Sequence, residues 1–435
     1  MGHAKTIVCF GPGPSFKGGL SDYNVSLAKA LEKNVERVYI VSWTQQYPNI
    51  IPRDFKDNVS REDHLQGTEI ELKYITNYNN PFTWFKTAKF IADLKPDMVI
   101  FQWSIAVQGL PIGRIINAIK RKIDCEIIVD LHFVLQKEKS KIDRSFTKMG
   151  IANADTYIVH AYKTANELQA LFPSQGFYIT ETGERKWQKD QKPIIKLYHP
   201  IYNLFEPDPQ FNLQAFKEEH GLKENVFLFF GFIRKYKGLH NVIRAFKHVA
   251  QERDDVTLLI CGESFWNTLD TQRLGAKLKK LIFGIAKKLF LGKEDDEGDY
   301  RPLDLIQQLD LDSNVVLFNQ FIPNEEVHKY FQVSDCVVLY YLTATPSGIE
   351  SLSYNFGQPV LATRVGHFPE TIKEGYNGYL AEPNDIESMA QTMNLFLEKP
   401  LDRENVKKVA ADMSWDNYAE AILRQEEMSA NTNLD

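Results

Sequence analysis

Residues 343–370 read TATPSGIESLSYNFGQPVLATRVGHFPE. The turn Thr345-Pro346-Ser347-Gly348 is made of small residues, and a helix starting on it leaves its first backbone N–H groups uncovered. Such a turn is an anion site, because unpaired N–H groups and the positive end of the helix dipole point the same way. Gly357-Gln358-Pro359 ends the helix, and a new apolar run, Val360 to Thr363, follows. Loop, helix and strand after a preceding apolar run are the parts of a βαβ unit.

The same alternation extends in both directions. In the second half, apolar runs near residues 226–232, 256–261, 314–318, 335–340, 360–363 and 378–381 are mostly followed by amphipathic helical segments. The first half behaves alike, with runs near 6–10, 37–42, 69–75, 97–103, 125–132, 155–160 and 194–199. Short apolar strands alternating with helices predict parallel sheets covered on both faces. Around Asn203 to Asn225 the chain turns polar, with Pro207 and Pro209 close together. The fold class is therefore α/β: two doubly wound, Rossmann-like domains over 1–205 and 206–400, facing across a cleft, and a helical segment over 401–435 crossing back to the first. Ligands of such sheets bind at the carboxyl ends of the strands.

Composition agrees. The chain has 435 residues, 43% of them hydrophobic and 25% charged, as expected of a two-domain globular protein. A net charge of −6 gives no overall reason to expect nucleic acid as a partner. Cys9, Cys125, Cys261 and Cys336 are scattered, without metal-ligand or disulfide spacing. Met1–Thr6 formally matches a myristoylation pattern, but Lys5 leads at once into the apolar run Ile7 to Phe10, without the segments of a signal peptide. No stretch approaches the ~20 apolar residues of a membrane span. The expected location is the cytoplasm.

One segment departs from the alternation. Between the runs ending at Cys261 and beginning at Asn314 the chain is about twice as long as a compact connection requires. The extra material, at about 267–301, contains RLGAKLKKLIFGIAKKLFLGK over 273–293. Leu274, Leu278, Leu281, Ile282, Ile285 and Leu289 share one helical face, while Lys277, Lys280, Lys287 and Lys288 lie off it. This basic amphipathic helix either packs on the sheet with its lysines solvated, or docks peripherally on the inner face of an anionic cytoplasmic membrane.

Two loops join the opening turn as candidate sites. FGPGPSFKGGLSDY, over 10–23, places Gly18 and Gly19 before a helix, where the backbone can approach a ligand closely. A plain βα turn looks the same, and the three-glycine dinucleotide spacing is absent. GFIRKYKG, over 231–238, puts Arg234 and Lys237 at the carboxyl edge of the second sheet. A planar bidentate donor beside a mobile point charge suits a diphosphate, although surface cations are ordinarily just solvated. What favours a site is that the Ser347-Gly348 turn should reach the same edge.

Taken together, FGPGPSFKGGLSDYNVSLAKAL, IVHAYKTANEL, YHP, FFGFIRKYKGL, FIPNEEV and the run from Thr345 to Asp385 resemble the retaining glycosyltransferases of family 4, which have the GT-B fold. The resemblance covers nearly all of the chain apart from the insert. It implies transfer of a sugar from a nucleoside-diphosphate sugar to a glycan or lipid-linked acceptor, as in polysaccharide or cell-surface glycan biosynthesis. It also implies that Gly18 and Gly19 approach the donor phosphates. Arg234, Lys237 and the amides of Ser347, Gly348 and Ile349 would bind the diphosphate, and His132 would touch the transferred sugar. Glu263 and Ile322 would lie near the nucleoside, and Glu370 belongs to a helix-capping GxxPE pattern. The family's two glutamates, separated by seven residues, fall here on Ala344 and Leu352. Glu350 stands two residues before the second and resembles the subset with an SGV-type turn; its expected role is on the ribose, against the alternative of a first-turn carboxylate on the helix dipole. Phe232 occupies the family's arginine position, which Arg234 must then replace.

His132, His160 and His199 each stand at the end of an apolar run, where either a ligand contact or a hydrogen-bonded core position explains a histidine. With no HExxH, no paired His/Cys set and no Asp-x-Asp, neither a cofactor nor a protein-held metal is expected. The rival functions are a nucleotide-sugar-binding protein without transfer and a nucleotide-sugar epimerase of the same fold.

Overall fold

The computed structural model describes residues 5–47, 56–57, 60, 64–135, 141–185, 188, 190–264, 300–344 and 348–424. The chain divides into two compact units. The first comprises Met1–Ile51, Asp63–Pro200 and Ser414–Asp435; the second comprises Pro52–Glu62 and Ile201–Met413. The division at Pro200/Ile201 comes a few residues before the polar stretch where composition changes.

In the first unit eight parallel strands lie in the order β3-β2-β1-β4-β5-β6-β8-β7. They are β1 (Thr6–Phe10), β2 (Arg37–Gln45), β3 (Glu71–Asn77), β4 (Met98–Trp103), β5 (Glu126–Leu131), β6 (Thr156–Val159), β7 (Gly176–Thr180) and β8 (Gln191–Lys196). The central strands β1, β4, β5 and β6 are almost wholly buried and apolar, as sheets covered on both faces require. Strand β7 has no counterpart among the expected runs, because it forms an edge and is half exposed.

The connecting helices are α1 (Gly19–Glu32), α2 (Pro81–Leu94), α3 (Gly109–Lys120), α4 (Lys141–Ile151) and α5 (Tyr162–Leu171). The sheet order and right-handed crossovers put α1 on one face and α2, α3 and α4 on the other. The helix Trp415–Leu423, from the far end of the chain, packs beside α1. Arg185 clamps it: its Nη2 donates to Ile422 O at 2.8 Å and to Glu126 Oε2 at 2.9 Å. Of the C-terminal segment expected to be helical from Leu401, the other helix, Arg403–Asp412, belongs to the second unit.

The second unit holds β9 (Asn225–Phe230), β10 (Val256–Cys261), β11 (Val315–Phe318), β12 (Cys336–Leu339), β13 (Val360–Thr363) and β14 (Gly378–Ala381), all parallel, in the order β11-β10-β9-β12-β13-β14. This is the dinucleotide-fold order 3-2-1-4-5-6, with its topological switch between β9 and β12. The helices α6 (Leu213–His220) and α7 (Leu239–Glu252) flank β9, and Ile386–Glu398 packs on α7 over a core that includes Phe227, Phe246 and Met393. The basic segment 273–293 lies outside the described residues.

Replacing Arg185 by methionine should lower the stability of the first unit by about 3–5 kcal/mol, because it leaves the Glu126 carboxylate without its largely buried partner. Urea denaturation followed by tryptophan fluorescence measures this; an unchanged midpoint would exclude the clamp.

Candidate functional site

In a doubly wound sheet, the two loops that leave the switch point in opposite directions open a crevice between them. Here they follow β9 and β12. The first begins with Gly231, at φ 90°, whose N–H donates to Cys261 O at 2.8 Å. A Cβ at Gly231 would fall 2.9 Å from Lys237 Nζ and 3.2 Å from Ile349 Cδ1. The end of β9, the lysine and the start of the helix Gly348–Asn355 therefore converge on one point, and only glycine leaves them room.

Lys237 sits in a single 3-10 turn, Lys235–Lys237, closed by Gly238 at φ 68°. It is 7% exposed, with its ammonium 6.0 Å from the centre of the Tyr341 ring. Burial pushes its pKa down from 10.5 to about 7, and the neighbouring positive charge of Arg234 adds to the shift. No carboxylate among the described residues forms an ion pair with it. Two cations are thus held together, one of them buried, beside the positive end of a helix. Arg234 itself lies over Tyr236, 5.7 Å from the ring centre.

The helix Gly348–Asn355 begins under Tyr202. A Cβ on Gly348 would come within 2.5 Å of that ring, so the tyrosine fixes where the first amides can point. Ser347 lies outside the described residues. Ile349 is half buried, against Gly231.

Glu350 is engaged within its own unit. Its carboxylate is buried and both oxygens are occupied: Oε2 lies 2.5 Å from His367 Nε2, and Oε1 accepts from Thr371 Oγ1 at 2.5 Å and Tyr354 OH at 3.1 Å. Asn377 extends the network, donating to Tyr354 OH at 3.1 Å and to Thr371 O at 3.0 Å. A carboxylate so engaged has little capacity left for a ribose; it holds the start of its own helix to the loop after β13. Leu352, the neighbouring expected donor contact, is likewise buried in the helix. Gly366, at φ 60°, packs where a Cβ would stand 2.0 Å from Ala344 O, so the loops after β12 and β13 are pressed together. Glu263 is half buried just beyond β10, and its carbonyl accepts from Ile233 N–H at 3.0 Å; Ile322 is buried beyond β11. Both lie past the carboxyl ends of strands on the β9 side of the crevice, β10 beside β9 and β11 one strand further out.

In the first unit Gly18 caps α1 at φ 107°, with open space where a Cβ would be, and Gly19 opens the helix. His132 follows β5. Its Nε2 lies 2.8 Å from Gln102 Oε1, and its ring meets Tyr23 edge-on with centres 4.6 Å apart. Burial lowers its pKa to about 4; the nearby Asp130 charge opposes the shift and His160 adds to it. The imidazole is consequently neutral near pH 7.

Behind it stands a buried network that joins His160 and His199 to Asp130, Tyr23 and Tyr418, which were not among the expected residues. Asp130 Oδ1 lies 3.0 Å from His160 Nε2, while Oδ2 accepts from Tyr23 OH at 2.9 Å and Tyr418 OH at 3.2 Å. Burial alone would raise the Asp130 pKa, but the charge and hydrogen bond of His160, with smaller help from His132 and Tyr23, hold it below its usual value. His199 packs against Tyr23 at 5.1 Å and is pushed well below the usual histidine pKa, chiefly by burial. Donor atoms of Asp130, His132 and His160 lie within 4.8 Å of one another. Hydrogen bonds within the cluster and to Gln102, Tyr23 and Tyr418 engage these atoms, while His160 Nδ1 is buried without a hydrogen-bond partner among the described residues. Asp130 had one sequence signal, a charge inside the apolar run VDLHF; Tyr418 had none.

Residues 210–413 match the family described as Glycosyl transferases group 1. The match lies within the second unit; Lys237, Gly348 and Glu350 all fall inside it, and the histidine cluster falls outside it. Among curated relatives, spore coat protein SA of Bacillus subtilis is 23% identical over 239 residues, covering 53% of this chain and 55% of that protein. N-acetyl-alpha-D-glucosaminyl L-malate synthase of Bacillus anthracis is 26% identical over 234 residues, covering 52% and 51%. The chain spans about half the length of the curated relatives it matches. Among solved structures, a glycosyltransferase from Rickettsia africae superposes with a TM-score of 0.61 at 14% identity, over 96% of each chain. Anabaena HepE in complex with UDP and glucose gives 0.58 at 16% identity, over 95% of this chain and 94% of that one. At these identities the likeness shows the fold, which is the GT-B class.

Two outcomes follow from the geometry. Glu350→Ala should destabilise the second unit by about 3–5 kcal/mol, since it strands His367, Thr371 and Tyr354 in the core. Thermal melts and nucleotide titrations decide this: lost nucleotide affinity at unchanged stability would restore the ribose role. Lys237 supplies the second. Its folded pKa lies below the unfolded value, so between about 7 and 10.5 the unfolded chain binds more protons and this group makes stability rise with pH. A bound anion reverses that preference by giving the ammonium a partner. Nucleoside diphosphate should therefore bind with proton uptake and more weakly as pH rises through 7 to 8.5. Calorimetry in buffers of different ionisation heat reads the uptake, which Lys237→Met should abolish.

Proposed function

We propose that the protein is a retaining glycosyltransferase that moves a sugar from a nucleoside-diphosphate sugar to a hydroxyl of a glycan or lipid-linked acceptor, in polysaccharide or cell-surface glycan biosynthesis. The observation that carries this reading is Lys237, a buried ammonium with a second cation beside it and the start of Gly348–Asn355 in front of it. Such an arrangement is costly until an anion arrives, and a diphosphate has the charge and reach to satisfy both cations and the helix amides. The domain match supports sugar transfer as the chemistry, and UDP in the Anabaena structure supports a nucleoside diphosphate as the donor's leaving group.

In the proposed reaction the bond between the anomeric carbon and the diphosphate oxygen breaks, and its electron pair stays on that oxygen. Arg234, Lys237 and the amides at Ser347, Gly348 and Ile349 meet the growing negative charge. The acceptor hydroxyl attacks the same face of the sugar that the diphosphate leaves, and its proton passes to the departing phosphate. No side chain need act as base. His132, neutral at the pH of the reaction, is proposed to hydrogen-bond the transferred sugar, and Gly18 and Gly19 to give the donor phosphates close backbone access. Glu263 and Ile322 are assigned to the nucleoside. The reaction draws on no cofactor. The protein is placed in the cytoplasm, with the 273–293 segment as a peripheral membrane contact.

Incubation with a panel of nucleotide sugars, with and without glycan and lipid-linked acceptors, tests the assignment by release of nucleoside diphosphate. Acceptor-dependent release with retained anomeric configuration is expected. Binding without release in any combination would favour a sugar-nucleotide-binding protein. Lys237→Ala should lower kcat by about 100- to 1,000-fold, the usual loss for one charge-stabilising donor; turnover near that of the unaltered protein would refute the site.

A further inference from the structure

Strands β6, β8 and β7 lie side by side in the first sheet, and their carboxyl ends carry a group of aromatic side chains. Strands β6 and β8 stay in register to their last residues, with Val159 opposite Lys196 and Leu197 N–H donating to Val159 O at 3.0 Å. Beyond that point each strand sends one ring inward and one outward. His160 and His199 are buried with ring centres 5.2 Å apart, whereas Tyr162, which opens α5, and Tyr198 are each 42% exposed.

The exposed pair is held in place. Lys196 is buried, and its ammonium lies 4.1 Å from the centre of the Tyr198 ring and 5.0 Å from that of Tyr162. One cation at the end of β8 thus orders both rings. Tyr162 OH also donates to Glu181 Oε1, just beyond β7. Thr180 and Thr182 flank that glutamate in the chain, and Glu181 and Thr182 are exposed. A single surface tyrosine is ordinary, but here a buried ammonium sets two of them beside a rim of hydroxyls and a carboxylate.

The pair also continues the site at His132. His199, next in the chain to Tyr198, has its ring centre 6.2 Å from that of His132. We propose that Tyr162 and Tyr198 form a glycan subsite, on which outlying pyranose rings of the acceptor stack by their C–H faces while Thr180, Glu181 and Thr182 meet the hydroxyls at the ring edges. A pyranose has an apolar face and a polar rim, and so does this pair of tyrosines with its neighbours. Nucleobases stack on tyrosine as well, but a phosphate backbone would meet the Glu181 carboxylate at the rim. Naming the glycan as acceptor rests on the glycosyltransferase reading; saccharide binding at the two rings does not.

Saturation-transfer NMR on the full chain, with cellotetraose, maltotetraose, mannotetraose and chitotetraose beside their monosaccharides, tests the subsite. At least one tetrasaccharide should bind about tenfold more tightly than its monosaccharide. That affinity should fall about fivefold in Tyr198→Ser and further in Tyr162→Ser/Tyr198→Ser, while Tyr198→Trp, which keeps a stacking face, retains it. Both rings lie outside the core, so the melting temperature should hold, which separates a lost subsite from lost folding. Nucleotide-sugar donors added to the same samples tell the subsite from the transferase. Ring-dependent saccharide binding without transfer supports the subsite and counts against the transferase. Transfer to a tetrasaccharide with a KM that Tyr198→Ser leaves unchanged overturns the subsite and keeps the transferase. The inference is also overturned if no tetrasaccharide binds, if the serine variants bind as the unaltered chain does, or if they alter only self-association in sedimentation velocity.

Discussion

The second unit depends on keeping Lys237 buried without a carboxylate partner among the described residues. Burial of a lone ammonium is unfavourable, and here Arg234 makes it worse. The fold tolerates this because the turn carrying the lysine cannot move: Gly238 is pressed against Tyr340 O, and Gly231 against Lys237 and Ile349. The cost is electrostatic, and an anion placed beside the lysine would offset it. The Glu350 network serves the same end. By joining His367, Thr371 and Tyr354 to the start of Gly348–Asn355, it fixes the helix whose Ile349 side chain meets Gly231 beside the lysine.

The first unit meets the opposite difficulty, a buried carboxylate. Asp130 is held below the usual carboxylate range by His160, with smaller help from His132 and Tyr23, and it also accepts from Tyr418 of the last described helix. Trp415 packs on Tyr23 at 4.8 Å in the same cluster. The end of the chain thus completes the support behind His132, which explains why a helix so distant in sequence is clamped at Arg185 as well.

Much of the architecture was legible because parallel strands buried on both faces must be continuous apolar runs. Strands β1, β10, β13 and β14 begin and end where those runs do. Strand β7 was not legible, since an edge strand needs no such run. The place of Gly231, Arg234 and Lys237 in the turn after a strand was legible too, from the apolar run before them. The fate of Glu350 was not. A carboxylate in the first turn of a helix reads the same whether it faces a ribose or His367, and His367 lies seventeen residues away in another loop.

The sequence by itself determined the α/β class, the repeated halves and the position of Arg234, Lys237 and Gly348 at the carboxyl edge of one sheet, because periodicity and turn chemistry are local. Only the tertiary structure decided which of these side chains are buried, that Lys237 has no carboxylate partner among the described residues, and that Tyr418 meets Asp130. Burial and pairing are set by contacts between residues far apart in the chain, and no local pattern encodes them.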